Sequence, residues 1–201
     1  MAIDYEKIAR ENIGRYGSEV NNYGPVLLAR LYSDRTHFIF ELLQNAEDAL
    51  GKRAGAPHKG SFSRKVAFHL FEDHLEFSHY GIPFSEADVR GICGLVHSTK
   101  KTDVTAIGKF GIGFKSVYAY TQSPEVHSGD EHFLVESFVR PKAIPPKRVP
   151  PEKTLFCLPF DNPQIKTQDA FEDIANRLHG FGARSFMFLS QIETIEWKIG
   201  G

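Results

Sequence analysis

Two short runs of alternating apolar and polar residues, joined by an acidic turn, constrain the fold most. The run Lys65–Leu70 places an apolar residue at every second position, and His74–Phe77 repeats the pattern after the turn Glu72-Asp73. A period of two is that of a strand with one buried face. The pair therefore predicts an antiparallel hairpin.

The segments on either side of this hairpin predict a sheet covered by helices. Tyr5–Ile13 and Val26–Leu31 have helical patterns, and Asp34 is a suitable N-cap for a long helix that ends near Gly51. Ser85 is the expected cap of a short helix, and a helix is expected again after Gly113. Further strands are predicted at Phe133–Val139, Thr154–Pro159 and Ile192–Ile199, with a helix containing Phe171, Ile174, Ala175 and Leu178 between the last two.

Helices come first, then hairpins, and strand–helix–strand units do not repeat. This order predicts an α/β fold, a two-layer sandwich in which a mixed, mostly antiparallel sheet is covered by helices on one face.

Composition narrows the function classes. The chain has 201 residues, enough for one domain spanning 1–201, and a net charge of -1, which gives no general attraction to nucleic acid or to an anionic membrane. No apolar run reaches the roughly 20 residues of a membrane span. The two cysteines lack metal-ligand spacing, which is typical of free thiols in a reducing compartment. We therefore expect a cytoplasmic protein, and the strand-like ending at Lys198–Gly201 suggests the N-terminal fragment of a longer polypeptide.

Three polar residues on the long helix are the first candidate site. Glu41, Asn45 and Asp48 lie at i, i+4 and i+7, which places them along one side of the helix beside its apolar stripe. Asn45 can offer a neutral oxygen to Mg²⁺, and Glu41 can accept a proton from an attacking water. The same spacing also fits an ordinary solvent-facing helix side, so it does not define a site by itself.

A glycine-rich segment, Gly108–Ser116, is the second candidate. Its glycines allow close approach of the backbone to phosphates, and the N–H groups of a following helix favour anions. It is not a Walker A loop, because Phe114 stands between Gly113 and Lys115. It is not a dinucleotide fingerprint either, because the spacing is reversed and a polar loop precedes it.

The two motifs together resemble the GHKL superfamily, which comprises gyrase, the 90-kDa heat-shock chaperone, histidine kinases and MutL-type repair proteins. The resemblance lies in Glu41–Ala49 and Gly108–Phe114, and it is most detailed for the chaperone and a sacsin-like branch. Ser98–Lys100 resembles the chaperone's nucleotide lid, and Thr154 resembles a strand threonine of the nucleotide pocket.

This resemblance implies a Bergerat-type fold and a role for each matching position. Glu41 is the expected catalytic base, Asn45 the Mg²⁺ ligand, and Asp48 a residue of the adenine side, while Gly94–Ile107 is the expected lid. The Lys115 charge is expected to assist the phosphate loop. The implied nucleotide-binding residues are Asn45, Asp48, His79, Gly81, Lys100, Gly108, Gly111, Ile112, Gly113, Phe114, Lys115 and Thr154.

One position departs from the family pattern. The superfamily usually has Asp-x-Gly-x-Gly after its second strand, and the aspartate accepts a hydrogen bond from the adenine amino group. Here His79 stands at that aspartate and Pro83 at the second glycine. Neutral imidazole has one acceptor nitrogen and replaces the carboxylate only in part, so this change affects adenine selectivity. A sacsin-like subgroup shares such a histidine.

We therefore expect a Mg²⁺-dependent ATPase that acts as a nucleotide-driven conformational switch of a larger protein. ATP or ADP is the expected ligand, dimerisation on ATP binding is possible in this class, and further domains of the polypeptide are expected partners. In relatives a catalytic Lys or Arg arrives from a following domain, so this chain should hydrolyse ATP slowly. The alternative is a nucleotide-sensing or protein-interaction module that does not hydrolyse. A histidine kinase ranks third, because Tyr5–Ile13 contains no phosphoacceptor histidine.

Two further patterns are weaker. His69, His74 and His79 recur every five residues, but the first two lie on adjoining strands and should not converge with the third on a metal. The segment Arg140–Lys153 is rich in lysine and proline and predicts an extended surface connection. It is also the one segment that could contact nucleic acid, although it lacks interleaved aromatic residues.

Overall fold

The computed structural model describes residues 3–17, 34–57, 60–95, 113–182, 187 and 189–200. The helices are α1 (Tyr5–Tyr16), α2 (Phe38–Gly55), α3 (Glu86–Cys93) and α4 (Thr167–His179), with 3-10 helices at Arg35–His37 and Phe114–Ala119. The strands are β1 (Lys65–Leu70), β2 (His74–His79), β3 (Glu125–Ser128), β4 (Glu131–Glu136), β5 (Arg140–Ala143), β6 (Thr154–Pro159) and β7 (Thr194–Ile199).

Within the described residues, seven strands form one sheet in the order β5-β4-β3-β6-β2-β1-β7. The pairing of β1 with β7 is parallel and the other neighbours are antiparallel. The predicted mixed, mostly antiparallel α/β fold is confirmed, and so is the hairpin, in which Val66 pairs with His79 and Leu70 with Leu75.

The core lies between the helices and one face of the sheet. The inner face carries alternate strand residues such as Phe68, Phe77 and Phe156, which are at most 1% exposed. Helix α2 supplies Phe38, Ile39, Leu42, Leu43, Ala46 and Leu50, all buried in the same cluster. Burial of this apolar stripe fixes which side of α2 faces the sheet and leaves its polar edge at the boundary of the core.

Local capping explains where two helices begin. Ser85 and Asp88 form a reciprocal capping box at α3, as the sequence predicts for Ser85. Asp34 accepts a hydrogen bond from the Thr36 N–H (2.9 Å) and so caps the 3-10 helix Arg35–His37 that runs directly into α2. Arg177 of α4 binds both the Asp34 carboxylate and the Thr36 hydroxyl, which anchors the start of α2 to a second helix.

The structure differs from the predicted elements at several places. Helix α2 continues to Gly55 rather than ending near Gly51, and the segment after Gly113 is a 3-10 helix. The predicted connection Arg140–Lys153 begins with the edge strand β5, because Pro141 can occupy an edge, where one side of the strand needs no ladder partner. Strand β3 was not predicted. The predicted helix Val26–Leu31 lies outside the described residues.

In the described part of the chain, no helix combines the length and the apolar character needed to span a bilayer.

Candidate functional site

Helix α2 places the three predicted polar residues in different environments. Glu41 is partly exposed, with 23% of its side chain accessible. Asn45, one turn later, is buried at 5% exposure, and Asp48 is exposed. Exposure along the polar side of the helix therefore changes from partial at Glu41 to buried at Asn45 and exposed at Asp48, so this side is not uniformly in contact with solvent.

The Glu41 carboxylate lies directly against the last glycine of the glycine-rich segment. A Cβ atom added at Gly113 would stand 1.9 Å from Glu41 Oε2 and 2.6 Å from its carboxyl carbon. Only a residue without a side chain permits this approach. The fold thus brings the predicted base and the end of the predicted phosphate loop into contact, although 72 positions separate them in the numbering.

A histidine one turn before Glu41 holds the other carboxylate oxygen. His37 Nε2 lies 3.1 Å from Glu41 Oε1, in an i, i+4 arrangement on the same helical run. This contact orients the carboxylate so that Oε2 faces Gly113. His37 was not among the residues predicted from the sequence, although its spacing of four residues from a candidate base was a visible signal.

Asn45 carries an unsatisfied polar atom. Its Nδ2 is buried and has no hydrogen-bond partner among the described residues. A buried amide without a partner costs about 1–3 kcal/mol unless something binds it. The two ends of an asparagine amide are exchanged by a 180° rotation, so this position can present either Nδ2 or Oδ1 to a ligand. The side-chain oxygen of Asn45 is a ligand type compatible with Mg²⁺.

His79 is held as a neutral ring at the end of β2. It is 1% exposed, and its Nδ1 accepts a hydrogen bond from the Gly81 N–H at 3.0 Å. Burial lowers the pKa of His79 from 6.5 to about 4. Because Nδ1 is the acceptor for Gly81, the ring proton sits on Nε2, and the remaining polar atom of the ring is a donor.

Gly81 is needed for close packing against α2. An added Cβ would lie 2.5 Å from Ala49 Cβ and 2.8 Å from the Ala49 carbonyl carbon. The next residue, Ile82, donates its N–H to the Ala49 carbonyl at 3.0 Å. The turn after β2 is thereby fixed to α2 one turn beyond Asn45.

A buried row of polar side chains crosses the inner face at this end of the sheet. Thr154 pairs with His79 on one side and with Ser128 on the other, so all three project to the same face. The hydroxyls of Ser128 and Thr154 are 2.6 Å apart, and Ser128 also accepts the Phe84 N–H at 3.0 Å. Thr154 was predicted from the sequence. Ser128 was not, because its strand, β3, was not predicted.

The segment that follows Gly113 packs inward. Phe114 is 1% exposed, and its ring lies 5.9 Å from that of Phe156 on β6. The Lys115 ammonium is also buried and donates to the carbonyls of Ile92 and Phe138. Burial lowers the pKa of Lys115 to about 8.

The expected contact of Lys115 with phosphate stays a prediction, and in this structure the ammonium has protein partners. Its ammonium joins the end of α3 to the turn between β4 and β5, which is a structural use of the charge. The remaining predicted residues, Lys100, Gly108, Gly111 and Ile112, lie outside the described residues, as does most of the expected lid at Gly94–Ile107.

A second carboxylate on α2, Glu47, is structural. Its Oε1 accepts the N–H groups of Ser190 (2.5 Å) and Gln191 (2.7 Å), and its Oε2 accepts that of Ile192 (2.9 Å). Partial burial opposes ionisation, but these hydrogen bonds outweigh it and lower the pKa of Glu47. Glu47 therefore ties α2 to the connection that leads into β7.

Sequence comparison finds known proteins that are similar to part of this chain. Residues 78–139, from the end of β2 to the turn before β5, match the Sacsin domain family. The chain is thus similar to sacsin-like proteins, which confirms the resemblance inferred from its motifs.

Individual relatives show the same similarity to sacsin-like and heat-shock proteins. The chain is 36% identical over 107 residues to Protein NO VEIN of Arabidopsis thaliana and 30% identical over 122 residues to human Sacsin. It is 25% identical over 132 residues to Chaperone protein HtpG of Borrelia garinii, a member of the 90-kDa heat-shock group. These matches cover 53%, 52% and 57% of this chain, and 4%, 2% and 21% of the respective relatives.

Of these three relatives, HtpG is a chaperone by its name. The chain spans only a small part of each of them, so the activities of the whole relatives do not transfer to it directly.

Proposed function

We propose that this chain is a Mg²⁺-dependent ATP-binding domain that hydrolyses ATP slowly and serves as a nucleotide-driven switch within a larger protein. The observation that carries the proposal is the contact between Glu41 and Gly113. It joins a carboxylate that can act as a base to the end of a segment whose glycines suit phosphate binding.

The unsatisfied amide of Asn45 supports the metal part of the proposal. Asn45 would hold Mg²⁺ through its side-chain oxygen, and the ion would neutralise phosphate charge when bound. Glu41 would orient a water and accept its proton, with His37 holding the carboxylate in place. Gly108, Gly111 and Gly113 would present backbone N–H groups to the phosphates.

Calorimetry with Mg-ATP and a phosphate-release assay test these roles on matched variants. Glu41→Ala should retain nucleotide affinity and lose hydrolysis by about 10²–10⁴-fold, the usual contribution of a general base. Asn45→Ala should lose the Mg²⁺-dependent part of the affinity. Gln44→Ala, an exposed position on the same helix, is the control and should change neither property. Absence of binding by the wild type at millimolar Mg-ATP would refute the proposal.

A second candidate is a nucleotide-sensing or protein-interaction module with a partly degenerate site, and the polarity of His79 favours degeneracy on the adenine side. With Nδ1 occupied by Gly81, the ring presents a donor, whereas an adenine amino group needs an acceptor. His79→Asp restores a carboxylate at this position. If His79 limits adenine recognition, this variant should bind Mg-ATP more tightly than the wild type, while its affinity for Mg-GTP should not improve. Equal affinities of both proteins for ATP would remove the reason for this candidate.

A further inference from the structure

The outer face of the sheet, opposite the helices, carries a group of three side chains of different chemistry. His74 and Glu76 are alternate residues of β2, and Cys157 of β6 is directly opposite Glu76 in the register. Their side chains therefore project to the same side, away from the buried Leu75 and Phe77. One nitrogen, one carboxylate oxygen and the sulfur lie within 4.8 Å of one another.

The ring of His74 is already oriented for such a site. Its Nδ1 lies 2.6 Å from Asp73 Oδ1, and the ring stacks on Phe71 with centroids 4.3 Å apart and planes 6° from parallel. These contacts turn Nε2 toward Glu76, whose Oε1 is 3.9 Å away. A carboxylate on one imidazole nitrogen is the arrangement that commonly orients histidine ligands of metals.

The charges and accessibility around the group suit a cation. The side chains of His74 and Glu76 are 25% and 27% exposed, so an ion can reach them from solvent. Cys157 forms no disulfide. Cys157 itself is buried, and the Lys147 ammonium hydrogen-bonds its sulfur while pairing with Glu125 at 3.0 Å. A metal ion at the sulfur would therefore replace the Lys147 contact, and Lys147 would keep its partner Glu125.

We propose that His74, Glu76 and Cys157 form a zinc-binding site that joins β2 to β6, with Asp73 positioning His74. Imidazole nitrogen, carboxylate oxygen and thiolate sulfur are the ligand types of protein zinc sites, and three protein ligands leave a fourth position for water. The site uses only one of the three regularly spaced histidines. His79 points to the opposite, buried face, and His69 lies across Glu76 on β1.

The site is independent of the proposed nucleotide function, because its residues and those of the polar row around His79 lie on opposite faces of the sheet. Its test therefore needs no nucleotide. The untagged, metal-free 201-residue chain is reduced and titrated with Co²⁺ as a spectroscopic probe for zinc, and the bound cobalt is then displaced with Zn²⁺.

We expect one Co²⁺ per chain, with thiolate-to-cobalt charge-transfer absorption that disappears when zinc is added. Cys157→Ser should abolish this absorption, whereas Cys93→Ser, which changes the other cysteine, should preserve it. Circular dichroism confirms that each variant is folded. Cobalt binding without a thiolate band, or a band that survives Cys157→Ser, would overturn the proposal.

Variants of the other residues locate the ion more finely. His74→Gln and Glu76→Gln should each weaken binding strongly, and Asp73→Asn should weaken it by about 10–100-fold, the usual effect of losing the partner that orients a ligand. His69→Gln is the matched control on the same face and should leave affinity unchanged. Equal losses in His69→Gln and His74→Gln would place the ion elsewhere and refute the assignment.

Discussion

The fold should lose stability in mild acid because His79 is buried as a neutral ring. The ring is 1% exposed, and its acceptor nitrogen is engaged by Gly81. Burial lowers the pKa of His79 from 6.5 to about 4, so protonation would place an unpaired charge among Phe77 and Phe156. In the unfolded chain the ring is solvated and binds its proton more readily.

The magnitude follows from the two pKa values. Between pH 6.5 and pH 4 the unfolded chain takes up a proton that the folded chain does not. The stability due to the neutral ring is therefore fully present above pH 6.5 and is lost as the pH falls toward 4. Each pKa unit of difference between the folded and unfolded chain corresponds to about 1.4 kcal/mol, so the loss of folding free energy approaches about 3 kcal/mol near the lower pH. That is a large part of the roughly 5–15 kcal/mol that holds a typical domain together.

The assay compares the wild type with His79→Asn. The Oδ1 of asparagine can accept the Gly81 N–H in place of Nδ1, and asparagine does not titrate. Urea unfolding is followed by circular dichroism and by fluorescence of Trp197, the single tryptophan, at pH values from neutral down to 4. Other buried groups such as His127 are present in both proteins, so their contributions cancel.

The wild type should lose about 3 kcal/mol more than His79→Asn over this range. If both proteins lose stability in parallel, the ring of His79 is either protonated in the folded state or already solvated, and the reasoning from its burial is wrong.

Three substitutions test contacts of α2. Gly81→Ala should lower the free energy of unfolding by about 1–3 kcal/mol, because its Cβ meets the backbone and Cβ of Ala49, which cannot move without the helix. Gly113→Ala should cost less stability, since its Cβ meets only the flexible end of Glu41, but it should displace that carboxylate and reduce ATP hydrolysis at least about tenfold while nucleotide binding persists. Glu47→Gln should destabilise by about 1–3 kcal/mol because one amide oxygen replaces two acceptors for backbone N–H groups. Urea denaturation measures the stabilities, and an unchanged unfolding curve for Gly81→Ala or Glu47→Gln would contradict the corresponding contact.

Elements with a strong local pattern could be predicted from the sequence. The hairpin of β1 and β2 follows from alternation alone, and the start of α3 follows from the Ser85 cap with an acid three residues later. Strand β3 could not be predicted, because Val126 is the one apolar residue in its four. It exists because β4 and β6 pair with it on both sides.

Only some residues of the candidate site could likewise be predicted from the sequence. Glu41 and Asn45 were visible because helical spacing relates them. The contacts of Glu47 join residues 143 to 145 positions apart, so no local pattern reveals the structural role of this carboxylate. The expected role of Lys115 at the phosphates came from the family resemblance. The Lys115 ammonium is buried where the end of α3 meets the turn between β4 and β5, and no sequence pattern indicates that these two segments lie together.

The glycines near α2 also require a different explanation from the one that their sequence pattern suggests. A glycine-rich segment is usually explained by backbone freedom, yet Gly113 has φ -57°, a conformation open to any residue. The Glu41 carboxylate occupies the space that a Cβ at Gly113 would take, whereas a Cβ at Gly81 would meet the Cβ and backbone of Ala49 farther along the helix. Gly81 therefore sets the distance between α2 and the turn after β2, and Gly113 leaves room for the Glu41 carboxylate. A side chain at Gly81 that pushes the helix away should also change the position of Glu41 relative to Gly113. Gly81→Ala is thus expected to reduce hydrolysis as well as stability, and the double variant Gly81→Ala/Gly113→Ala should lose less activity than the two single losses combined.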